Sequence, residues 1–200
     1  NVDKAVELII KGEGGKIDAV TKDVSAGSRT PRGMSLGLMQ WNGERARSML
    51  QEVHNAVPNA GFAKFINDPS LWTNNWWPDH LITEYKTIIN RFPKQVETVQ
   101  RRILERDVLN TNLKPIFQSG KLTDPRSMVL LADIGNTGPA HITTFLNKYT
   151  PPSGNQPEFP HFFNELREKS YWGNHIKTYG NRLNSAYTIL QSWNPNVGGQ

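Results

Sequence analysis

A chain of 200 residues has the length of one domain, or of one domain in two lobes, and is long enough to bury a hydrophobic core. Six Trp, eight Phe and five Tyr within 36% hydrophobic residues exclude a disordered chain, and a mean hydropathy of −0.57 without a long apolar run excludes a membrane-spanning helix. The absence of Cys excludes disulfide and thiolate chemistry, and a net charge of +5 favours an anionic partner: bacterial cell wall, anionic lipid or nucleic acid.

Val2, Ala5, Val6, Ile9 and Ile10 recur at helical spacing, which predicts an amphipathic helix over residues 2 to 11, ended by Gly12, Gly14 and Gly15. This charged helix is not a signal peptide, so export is expected to rely on a removed segment, a fused carrier or a partner. A chain opening on Asn1 is read as a piece of something longer. Residues 17 to 24 are mixed and partly β-branched, and Ser25 to Gly33 has loop chemistry, so a small hairpin or extended lobe is expected near residues 17 to 40. Met34 to Trp41 is apolar and fits either a strand or a buried helix.

Gly43 opens a helix through Ala46, Met49, Leu50 and Val53, which Pro58 and Gly61 end. Asp68 to Pro78 is an aromatic loop with Trp72, Trp76 and Trp77, in which core packing is the stronger reading and stacking on sugar rings the alternative. Leu81 to Phe92 predicts a helix stopped by Pro93, with another through Val96 to Leu104 and a short one near Leu113 to Phe117. Asp124 and Pro125 read as N-cap and first residue of the next helix, Pro139 opens a further one, and two more follow around Phe159 to Lys169 and Asn174 to Gln191. The tail from Asn194 to Gln200 is expected to fray. The sum is an α+β class, predominantly helical, forming one domain over residues 1 to 200 with a cleft between the 17–40 lobe and the helical body.

Chemistry concentrates near the first helix. Breaking a glycosidic bond needs an acid to protonate the leaving oxygen and a carboxylate to activate water or support the charge growing on the sugar. Glu13 sits at the negative end of the helix and is expected to be buried against the body, two conditions that favour its protonated form. Asp23, or Asp18 in its place, lies on the more polar extended segment, where water keeps a carboxylate charged. Ser35 and Gln40 offer hydrogen bonds to sugar hydroxyl and N-acetyl groups, or to buried backbone.

The segment Ser35-Leu36-Gly37-Leu38-Met39-Gln40-Trp41, preceded by a helix ending in Glu and a polar lobe, resembles the lysozyme-like superfamily of phage tail lysozymes, lytic transglycosylases and chitosanase-like hydrolases. The resemblance covers residues 8 to 50, with Arg45 in the following helix, and extends more weakly to Leu131-Ala132-Asp133-Ile134-Gly135-Asn136, similar to a helix bordering the cleft in the chitosanase-like branch. It implies a lysozyme-like fold with Glu13 as general acid, an Asp of the lobe as base, Asp23 first and Asp18 second, and Asp18, Ser35, Gln40 and Asn136 as substrate-binding residues. The spacing of Glu13 and Asp23 and the basic stretch Gly27 to Gly33 depart from every branch.

The implied activity is a muramidase cutting the peptidoglycan glycan strand, with a lytic transglycosylase or a chitosanase as alternatives on the same fold. Delivery by a phage particle or secretion apparatus to the bacterial periplasm or wall is the corresponding expectation, with an immunity or delivery protein as possible partner. A basic helical binding module is the non-enzymatic alternative. Scattered His residues without HExxH predict no metal, no phosphate loop predicts no nucleotide cofactor, and nucleic acid is the weaker partner.

Overall fold

The computed structural model describes residues 1–24 and 30–196. Most of the loop expected from Ser25 to Gly33, and the end of the tail expected to fray, lie outside the described residues. The chain divides into two compact units, one made of Asn1–Gly12 with the chain from Glu105 onward, the other of Glu13–Leu104.

The first unit is helical. It contains nearly all of α1 (Val2–Glu13), whose buried stripe is Ala5, Val6, Leu8 and Ile9. The end of α5 (Pro93–Asp107) runs into a π-helical stretch, Val108–Leu113, and then α6 (Lys114–Ser119), α7 (Pro125–Gly135), α8 (Ala140–Lys148), α9 (Glu158–Lys169), the short α10 (Tyr171–Asn174) and α11 (Ile176–Gln191). Asp124 caps α7 as expected, its carboxylate accepting from Arg126 N at 2.9 Å, with Pro125 in the first turn where its missing N–H costs nothing. Helix α7 is buried almost throughout, from Val129 to Gly135, and packs on α8, α9 and α11. A helix buried along most of its length belongs at the centre of its unit, since each buried Leu, Ile or Val contributes about 1.5–3 kcal/mol.

The second unit holds an antiparallel sheet ordered β1 (Val20–Val24), β2 (Pro31–Leu36), β3 (Trp41–Asn42), followed by α2 (Gly43–Ala56), α3 (Ala63–Ile66), a 3₁₀ turn at Pro69–Trp72, α4 (Asp79–Ile89) and most of α5. Met34 to Trp41, open between strand and helix in the sequence, is a strand, a four-residue turn and a second strand. Its core is aromatic: Trp77 meets Phe65, Trp72 and Tyr85 at centroid distances of 5.5–5.6 Å. Pro93 is not the stop of one helix alone. Helix α4 ends at Ile89, and Pro93 is the first residue of α5, the position proline tolerates best.

The α+β class, mostly helical with a small sheet near residues 20–42, is therefore observed. No helix among the described residues is long and apolar enough to cross a membrane.

Candidate functional site

Helix α1 ends at Glu13 because the next residue, Gly14, turns into the left-handed region at φ 67°. Glu13 is exposed, where burial had been expected. One residue further, Gly15 packs so closely on the β2–β3 turn that a Cβ there would come within 1.9 Å of the Leu38 carbonyl oxygen. Only glycine allows that approach. The segment that follows Glu13 is thus seated directly on the Ser35–Trp41 motif.

A buried amide holds the same two strips of chain together. Gln100 of α5 is 0% exposed; its Nε2 donates to Ile17 O at 3.0 Å and its Oε1 accepts from Leu38 N at 3.0 Å. Gly37, at φ 78°, leaves room for this side chain, since a Cβ would fall 2.8 Å from Gln100 Oε1. Gln40 closes the turn in the left-handed region at φ 52°, its N–H donating to Gly37 O at 3.1 Å and its Nε2 to the same oxygen at 3.2 Å. The Gln40 side-chain nitrogen therefore serves its own turn. Left-handed backbone at a residue other than glycine is uncommon and is held here by the turn and strands around it.

The strands present a polar face. Thr21 pairs with Ser35, and Ser35 with Asn42, so these three residues lie side by side across the sheet. The opposite face carries Leu36 and Trp41, both buried. Asp23 sits in an irregularity of the β1–β2 register between Lys22 and Val24. Asn42 Nδ2 lies 3.4 Å from Asp23 Oδ2, as well as 3.3 Å from Arg32 O and 3.1 Å from Met34 O. Asn42 occupies the N-cap position of α2 yet makes no side-chain cap bond. Its amide is diverted from capping to the strands and to Asp23.

The two candidate bases occupy different settings. Asp18, before β1, accepts from Asn90 Nδ2 at 3.2 Å, beyond the end of α4. Asp23 is half-buried on the strand with Asn42 beside it, and Trp76 Nε1 donates to its backbone carbonyl at 3.0 Å. Asp23, Ser35 and Asn42 are brought onto one small sheet, while Asp18 is tied to the helical side of the same unit. Asn136 belongs to the first unit, following α7, where Asn112 Nδ2 lies 3.5 Å from its Oδ1.

Sequence reasoning passed over two residues here, Asn42 and Gln100, and named Trp76 only together with Trp72 and Trp77. Asn42 follows Trp41 directly and was legible as a polar residue one step beyond the motif. Gln100 carried a signal too, a polar residue inside the apolar stripe Val96, Val99, Ile103, Leu104. No group of His, Asp and Glu among the described residues is arranged to hold a metal ion. Compared with family models, curated proteins and solved structures, the chain matches none.

Proposed function

We propose that this chain is a glycosidase of lysozyme-like fold that cuts the glycan strand of peptidoglycan, with Glu13 as general acid and Asp23 as base. One observation carries the reading: the backbone just after Glu13 rests on the Leu38 carbonyl, in the turn whose strands bear Ser35, Asn42 and, across the register, Asp23. An exposed carboxyl at a helix end and a half-buried carboxyl on the strand supply, within one unit, the two side-chain acids that glycosidic cleavage uses. The Asn42 amide lies beside Asp23, and the paired Thr21 and Ser35 offer hydroxyls on the same sheet for a sugar. Gln40 keeps its carbonyl oxygen for such a role, and Asn136 remains a substrate-binding proposal from the resemblance. A positive net charge suits docking on an anionic wall, reached by phage particle or secretion apparatus, with an immunity protein as the natural antagonist.

The test is digestion of purified sacculi. Glu13→Gln is expected to lower muropeptide release by about 10²–10⁴-fold, the usual contribution of a positioned acid, while the melting temperature stays within a few degrees. Asp23→Asn is expected to fall in the same range. Turnover retained in Glu13→Gln sinks the assignment of the acid; turnover retained in Asp23→Asn alone, with anhydro ends in the products, moves the reading to a transglycosylase.

A further inference from the structure

The three Trp of the Asp68–Pro78 segment have separate fates. Trp77 is 2% exposed and its Nε1 donates to Leu71 O at 2.8 Å; Trp72 is half-buried and donates to Phe65 O at 2.9 Å. Trp76 is 37% exposed. An exposed indole normally gains by burying its ring, so its position needs a reason. Its Nε1 donates at 3.0 Å to the backbone carbonyl of Asp23, which pins the ring beside the β1 irregularity, and the Lys22 ammonium lies 5.4 Å from the ring centroid. From that position over the ring, Lys22 also pairs with Asp79 at 3.6 Å. The polar edge of the indole is thus spent on the protein, and what it offers to solvent is ring surface at a fixed angle next to the Asp23 strand.

Resting on the proposed glycosidase reading, we infer that Trp76 is a stacking platform for a pyranose ring of the bound glycan, a substrate-binding residue adjoining Asp23. The C–H-rich face of a β-1,4-linked N-acetylated sugar is apolar and matches an aromatic surface, while its hydroxyl rim stays available to the polar sheet face. The nearby ammonium polarises the ring and adds a partner for an acidic substituent on the sugar.

The experiment is calorimetric titration of the β-1,4 tetramer of N-acetylglucosamine into the Glu13→Gln chain, which is expected to bind without turnover. Trp76→Ala in that background is expected to weaken binding about tenfold, and Trp76→Phe, which keeps a ring but lacks the N–H, no more than about threefold. Equal losses in Phe and Ala would show that Trp76 acts only through its bond to Asp23 O and would overturn the platform, as would unchanged binding in Trp76→Ala. Should Trp76→Ala lose cooperative melting, Trp76→Leu takes its place in the comparison with Phe. Digestion of sacculi by the parent chain separates the two ideas: an active parent whose Trp76 variants bind normally overturns the platform alone, whereas a parent that neither digests sacculi nor binds the tetramer overturns the glycosidase reading with it.

Discussion

Each unit carries a buried polar device, and the two are built on different chemistry. In the first, Asp133 of α7 is 2% exposed and accepts from Arg182 Nη2 of α11 at 2.9 Å, with the same nitrogen donating to the Asp133 carbonyl at 3.0 Å. The guanidinium also underlies the last turn of α1, where a Cβ on Gly12 would meet it at 2.8 Å, so a cation stands at the negative end of that helix. In the second, Gln100 ties two backbone groups with a neutral amide. The difference lies in what is lost when one half is removed: a charge-assisted bond from a half-buried guanidinium in one case, two bonds to backbone dipoles in the other.

Asp133→Ala tests the charged device and should have the largest effect. It removes the 2.9 Å bond to Arg182 and is expected to cost about 3–5 kcal/mol, read from chemical denaturation. The double change Asp133→Leu with Arg182→Met should recover most of that loss, because both members of the pair are then replaced by apolar side chains. A single-variant loss below about 1 kcal/mol would mean that the pair is already solvated and holds nothing.

The neutral device should cost less in stability and more in function. Gln100→Ala orphans Leu38 N and Ile17 O and is expected to destabilise by about 1–3 kcal/mol. It also frees the β2–β3 turn on which the segment after Glu13 rests, so sacculus digestion should drop by more than the folded fraction does. If activity simply tracks the amount of folded protein, the clamp has no part in positioning the proposed site.

What the sequence made legible follows the range of the forces involved. Periodicity and capping are local, so α1, α2, α7 and α9 could be read within a residue or two, and the Asp124–Pro125 start was correct. Strand pairing is not local: nothing in Met34 to Trp41 told strand from helix until its partner, Val20–Val24, was beside it. Asp23 stood out as an acid, but its bond to Asn42 spans 19 residues and its link to Trp76 spans 53. Glu13 was expected to be buried against the helical body. The left-handed turn at Gly14 instead leaves it at the surface.

A third kind of buried polar group, one with no hydrogen-bond partner, completes the comparison and should show the smallest effect at neutral pH. Tyr149 is 2% exposed, packed against Phe145 and Phe162, and its hydroxyl has no partner among the described residues. Burial, then the charges of Glu158 and Glu165, push its ionisation up to about 12. In the unfolded chain a tyrosine ionises near pH 10. The neutral phenol therefore contributes stability in full below about pH 10, and that contribution is lost as pH rises from about 10 through 12, because the unfolded chain releases its proton first. Tyr85 in the other unit is shifted upward as well, by burial and then by the charge of Asp18, so alkaline loss has a source in each unit. Tyr149→Phe keeps the ring packing and removes only the orphan hydroxyl. Urea midpoints should match the parent or slightly exceed it at pH 7, then fall less steeply than the parent between about pH 10 and 12. Parallel curves throughout that window would show that the Tyr149 hydroxyl is solvated in the folded protein and is not part of its alkaline sensitivity.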